Sequence, residues 1–90
     1  MINKKKRDYL FNELALDCAL FENPSYDNSI IGVTSTGKVV YDFDLMVEEL
    51  SVDEKLTETD ALDFVDYNTM RTLPYIDADI RPIVIHRVVI

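Results

Sequence analysis

From Leu10 onward, apolar side chains return at three- and four-residue intervals: Leu10, Phe11, Leu14, Ala15, Cys18 and Phe21. This period places them on one face of a helix, predicted over 7–22. Leu16, Ala19 and Leu20 widen the apolar face until the helix is buried on more than one side. Asn23-Pro24 ends it, because the residue before a proline is pushed out of the α region. A loop, Ser25-Tyr26-Asp27-Asn28, follows, and the pattern then becomes β-like. Ser29-Ile30-Ile31-Gly32-Val33-Thr34 and Val39-Val40-Tyr41-Asp42-Phe43 are rich in β-branched and aromatic residues. They flank a short turn in which Gly37 is free to adopt positive φ, so they predict a hairpin. Gly32 inside the first run suggests a bulge or a close approach by another element.

Helical spacing resumes after the hairpin. Asp42 or Asp44 is placed to cap a short helix through Leu50, with Leu45, Met46, Val47 and Leu50 turned inward. A polar link over 51–55 separates it from a second start signal. Thr57 stands three residues before Asp60, in the layout of a capping box. The helix it opens runs over 61–71, with Ala61, Leu62, Val65 and Thr69 on one face, and Pro74 limits it near Arg71–Thr72. After a polar connection over 75–81, the run 82–90 is apolar on both of its alternating faces. It predicts a strand beside the hairpin, either central or covered on its second face. The order is α-β-β-α-α-β, and the fold class is α+β: a three-stranded antiparallel sheet with helices packed against it.

Composition sharpens this picture. Ninety residues is near the lower size at which a chain supports its own core, and 48% of them are apolar, so the pattern predicts a single domain over 8–90 behind a flexible basic lead-in over 1–7. One cysteine, Cys18, permits neither an internal disulfide nor a cysteine-built zinc site, and its place in an apolar pattern makes it a small core residue. Charges break the chain at Asp8 and Glu13, too early for the apolar region of a signal peptide. No run approaches the roughly 20 apolar residues of a membrane span. A cytoplasmic protein is expected.

The net charge is −8, and it is concentrated: residues 42–66 hold ten acids against one base, Lys55. Such a chain is not expected to bind nucleic acid directly, because that requires Lys and Arg to neutralise phosphates. Catalytic chemistry is not expected either. The one histidine, His86, falls in an apolar strand, and the two glycines, Gly32 and Gly37, stand on separate elements rather than in a phosphate-binding loop. No cofactor is implied. Asp42, Asp44 and Glu48, or Asp77 and Asp79, offer oxygen ligands for a divalent cation, but both segments lack the central glycine of an EF-hand loop.

The acidic segment therefore carries the functional interest. Asp60, Asp63 and Asp66 step by three along a helix, and Glu48, Glu49, Asp53 and Glu54 extend the negative charge ahead of them. One interpretation is a solvated face that favours solubility. The sharper one is a nucleic-acid mimic that competes for a positively charged groove on a partner protein, where charge complementarity raises the on-rate and selects cationic partners. The adjoining stretch over 63–75 reads mainly as a structural junction, with Phe64, Tyr67, Leu73 and Tyr75 in core and rim packing and Arg71 paired to Asp63 or Asp66. Were they exposed, Tyr67, Arg71 and Tyr75 have the chemistry of an interaction hot spot.

Four segments carry a resemblance: Ser29-Ile30-Ile31-Gly32-Val33, Gly37-Lys38-Val39-Val40-Tyr41-Asp42, Met46-Val47-Glu48-Glu49-Leu50, and Asp66-Tyr67-Asn68-Thr69-Met70-Arg71-Thr72-Leu73-Pro74-Tyr75. Over residues 20–86 the chain resembles a group of small proteins carried by phages and mobile elements of Gram-positive bacteria. The Tyr-Asn-Thr-x-Arg-x-x-Pro-Tyr segment is the most specific part. The resemblance supplies no catalytic residue. It implies a setting in which small acidic proteins inhibit host defence, anti-CRISPR proteins among them. The expected function is thus a phage-encoded protein–protein inhibitor of a bacterial nucleic-acid-handling defence enzyme, such as a CRISPR effector, contacted through Glu48, Glu49, Asp53, Glu54, Asp60, Asp63, Asp66, Tyr67 and Arg71. The alternative is a non-enzymatic accessory or regulatory module that acts as a homodimer through its C-terminal strand.

Overall fold

The computed structural model describes residues 4–14 and 17–88. Helix α1 (Lys4–Asp8) continues into a π-helical turn, Tyr9–Glu13. Strands β1 (Ile30–Val33) and β2 (Val39–Asp42) form the expected antiparallel hairpin, with Gly37 at φ 87° in the turn. The register slips between Ile30 and Gly32, which is the predicted bulge. Helix α2 (Phe43–Asp53) leaves β2 directly and takes in the first three residues of the stretch over 51–55 expected to be a polar link. Helix α3 (Glu58–Phe64) passes into a π-helical turn (Val65–Thr69) and then a 3-10 segment (Met70–Tyr75) that includes Pro74. Strand β3 (Ile83–Ile85) completes a sheet of order β1-β2-β3. The fold is α+β. Among the described residues, no helix is long and apolar enough to cross a membrane.

The sheet is mixed, not all antiparallel, because β3 pairs parallel to β2. The topology explains this: α2 and α3 form a helical crossover between neighbouring strands, and such a crossover brings the chain back in the direction it left. The strand is also an edge rather than central, and much shorter than the apolar run over 82–90. Its three residues pair with Val40, Tyr41 and Asp42. Beyond Asp42, β2 has become α2, so there is no partner left to extend the ladder. Ile85 and Val88 are consequently exposed, and Val89 and Ile90 lie outside the described residues.

The helix expected over 7–22 is the largest departure. The segment 17–22 is neither helix nor strand, and Ala15 and Leu16 lie outside the described residues. An apolar run without polar gaps fits a helix or an extended segment equally well, and here tertiary partners decide. The Ala19 N–H donates to the carbonyl of Ile80 at 2.9 Å, and the Phe21 N–H to the Tyr41 hydroxyl at 3.1 Å. Both donors are satisfied from other elements, so no helical ladder is needed. Cys18 packs partly buried against the core as expected, though from an irregular segment rather than a helix.

Residues 4–7 are helical rather than frayed, and two of their cations are docked. Lys6 Nζ donates to the Ile30 carbonyl at 2.7 Å. Arg7 grips the fully buried Asp27 with two bonds, Nε to Oδ2 at 3.0 Å and Nη2 to Oδ1 at 2.8 Å, and reaches Glu22 and the Phe21 carbonyl as well. These contacts, led by the bonds to Asp27, push the Arg7 pKa upward. The core they enclose joins Phe21, Tyr26 and Tyr41 to Val39, Met46, Leu50, Ala61 and Val65. Tyr26 adopts left-handed backbone at φ 53°, a conformation that costs a non-glycine residue roughly 1–2 kcal/mol. It is held there by an edge-on contact with Phe21 and a 2.6 Å bond from its hydroxyl to that of Thr69.

Candidate protein-binding surface

Both helix starts that present the acidic segment are fixed by local capping. The Asp42 carboxylate accepts from the Leu45 N–H at 3.1 Å, and the Thr57 hydroxyl from the Asp60 N–H at 3.1 Å. Each side chain thereby satisfies one of the N–H groups that a helix start leaves without a partner. The inward stripe of α2 is Phe43, Met46, Val47 and Leu50. From α3 onward it is Ala61, Val65 and Thr69, one every four residues. These two stripes join α2 and α3 to each other and to the shared core, and leave most of the acids on the outside.

The acids divide into two groups. Asp42 and Glu49 serve the fold. Asp42 is buried, and besides its capping role it pairs with Arg87 at 2.7 Å. Glu49 is half-buried and accepts from the Ser29 hydroxyl at 2.8 Å. Burial pushes its pKa upward against the hydrogen bonds from Ser29 and Asn28, and the charges of Asp53 and Asp27 push the same way. Glu48, Asp53, Glu54, Asp60, Asp63 and Asp66 are all exposed. Asp60, Asp63 and Asp66 line the flank of α3 and the turn after it, where three-residue steps separate successive carboxylates by about 4.5 Å along the axis. Glu49, Asp53 and Glu54 meet Glu22 around a hollow of about 190 Å³ floored by Tyr26 and Leu50.

A larger hollow, of about 460 Å³, lies between α2 and α3. Val47, Val52 and Leu62 give it an apolar lining, and Asp44, Glu48 and Glu58 border it. Of these, Val52 and Leu62 are 71% and 43% exposed. Nothing in the hydrophobic period marks this groove in advance: Val52 stands off the inward stripe, and Leu62 is expected to face the core. The one available signal is an apolar residue placed where the period calls for a polar one.

The stretch over 63–75 is not mainly core and rim. Of the four side chains expected in core and rim packing, Tyr67 is 62% exposed and Tyr75 91%, Phe64 is exposed, and Leu73 packs partly against the core; Val65, Thr69 and Met70 are the others of this stretch that pack inward. Arg71 does not pair with Asp63 or Asp66. Its guanidinium lies over the Tyr67 ring, 4.3 Å from the centroid, a cation–π contact that presents charge and ring together beside the acidic flank. Tyr67 and Arg71 are four residues apart and each stands two residues from the buried stripe of Ala61, Val65 and Thr69, so helical spacing itself turns them to the opposite, outer face.

Other candidate chemistry resolves into structure. His86 lies just beyond β3, where its ring stacks on Phe43 at 4.4 Å. The Cys18 thiol is pushed up by burial, which makes it a poorer nucleophile. Asp77 accepts from the Asp79 N–H at 2.9 Å in a local turn. Among the described residues, no three His, Cys, Asp or Glu side chains converge as metal ligands. Exposed carboxylates, a cation–π pair and a shallow groove are what the surface offers, and these suit recognition of another macromolecule. Compared with protein-family models, curated proteins and solved structures, the chain finds no match.

Proposed function

We propose that the protein is a non-enzymatic binding module that occupies the cationic nucleic-acid-binding surface of a bacterial protein. The single observation that carries this is the exposure of Glu48, Asp53, Glu54, Asp60, Asp63 and Asp66 on the outer faces of two capped, core-anchored helices and of the residues that directly follow each. A row of carboxylates along one helical flank presents a line of negative charge, as a phosphate backbone does. Its preorganisation limits the entropy lost when a partner binds. Tyr67 and Arg71 supply a directional contact at one end, of the residue types that dominate interface energetics. In the phage setting implied by the resemblance, the partner is a defence enzyme such as a CRISPR effector, and binding inhibits it by excluding guide or target nucleic acid. The test is capture from a Gram-positive host lysate at low and at high salt. A nuclease or other nucleic-acid-binding protein retained at low salt, and displaced by added DNA, is the expected result. Its failure to appear at low salt contradicts the proposal.

A second reading rests on β3. It is an edge strand whose outer side has no partner strand among the described residues, and Ile85 and Val88 beside it are exposed. Pairing with a second copy would cover this edge and give a homodimeric accessory module. Light scattering that shows a monomer at every concentration rules this out.

A further inference from the structure

The groove between α2 and α3 combines two features that do not depend on each other. The first is apolar surface that the fold does not use. Val52 lies outside the buried stripe of α2, and Leu62 outside the buried stripe of α3. An exposed aliphatic residue on its own is ordinary, but these two border the same hollow. The second is charge of one sign on both walls, with Asp44 and Glu48 from α2 and Glu58 from α3. Among the described residues, no basic side chain lines the groove.

We propose that this groove seats a short amphipathic helix of the partner protein, with aliphatic side chains over Val52 and Leu62 and lysines or arginines against Asp44, Glu48 and Glu58. This deepens the binding-module proposal and rests on it. A helix fits where a strand does not. One face of a helix presents aliphatic and cationic side chains side by side, matching a groove whose two walls each carry acid and exposed aliphatic residues: Asp44, Glu48 and Val52 from α2, Glu58 and Leu62 from α3. An extended segment sends alternate side chains to opposite faces, so cations next to the apolar residues would point away. On α2 the lining runs from Asp44 to Val52, a wall of roughly 12 Å, long enough for about two turns of a docked helix. The rim charges speed the encounter, and the aliphatic contact slows release.

The probe is a synthetic peptide of two to three turns, with leucines at i, i+3 and i+4 bordered by lysines. A scrambled peptide of identical composition is the control. Both are titrated into the full chain and followed by fluorescence anisotropy and by backbone amide shifts. The patterned peptide is expected to bind at least about tenfold more tightly than the scrambled one, with shifts centred on Val47, Val52 and Leu62. Leu62→Ser alters an exposed side chain and leaves the fold in place, as circular dichroism will verify. It should weaken the patterned peptide by about tenfold. If both peptides bind equally and shift Asp60, Asp63 and Asp66 instead, the groove is overturned while the acidic-surface proposal stands. If neither peptide binds, the groove is overturned as well, and capture from lysate decides the acidic surface separately.

Discussion

Arg7 shows how one side chain ties the N-terminal helix to the rest of the protein. Its two bonds to Asp27 cross twenty residues of sequence, and Asp27 is fully buried. Removing one member of such a pair leaves a buried charge without compensation, so Arg7→Ala is predicted to cost about 3–5 kcal/mol in chemical denaturation. Replacing Asp27 by Leu in the same chain should recover much of that loss. If Arg7→Ala proves neutral, the pair does not anchor the helix. Glu49 gives a prediction in pH. Its folded-state pKa lies above the ordinary value of 4.5, chiefly because burial disfavours the carboxylate. The group's favourable contribution is therefore complete below the unfolded-state pKa and is lost as pH rises through the folded-state value. Glu49→Gln keeps an acceptor for Ser29 and removes the charge. It should stabilise the protein at neutral pH, with a gain that shrinks on acidification toward pH 4.5 and below; an unchanged or inverted pH dependence would contradict this. Neither partnership can be read from the sequence, since both join residues twenty positions apart whose proximity only the fold creates.

At the scale of elements, what was legible depended on distance along the chain. The caps at Asp42 and Thr57, the Gly37 turn and the Gly32 bulge are local devices, and the structure contains all of them. The segment 17–22 and strand β3 depend on distant partners, and there the hydrophobic period misleads. An unbroken apolar run does not distinguish helix from strand, and the direction of β3 is set by the crossover rather than by its own residues. The end of α2 provides a test of local reasoning. Lys55 adopts φ 54°, and the Leu56 N–H bonds back to the Ser51 carbonyl at 3.0 Å. This is the six-to-one bond of a Schellman motif, whose left-handed position favours glycine. Lys55→Gly is predicted to stabilise the protein by about 1 kcal/mol, raising the thermal midpoint by roughly 4–8 °C. A lower midpoint would mean that the lysine side chain contributes more than its backbone costs.

For the whole molecule, the consequential result is the separation of acids that hold the fold together from acids that face outward. The charge run is plain in the sequence, but its division is not: Asp42 caps a helix and binds Arg87, Glu49 meets Ser29, and the remainder form an exposed surface. Tyr67 stands two residues from both Val65 and Thr69, so its outward position was open to the helical period, whereas the exposure of Tyr75, at the end of the 3-10 segment, was not. An outward acidic surface on a rigid support makes association depend on charge, and screening by salt should weaken it. The most direct measurement compares the native chain with one carrying Asp60→Lys, Asp63→Lys and Asp66→Lys, in low-salt capture and in inhibition of the captured protein. All three positions are exposed, and circular dichroism and thermal midpoint should show the variant folded. Loss of capture and of inhibition by the folded variant is the predicted result. Retention of both would contradict the central claim that this acidic surface makes the contact.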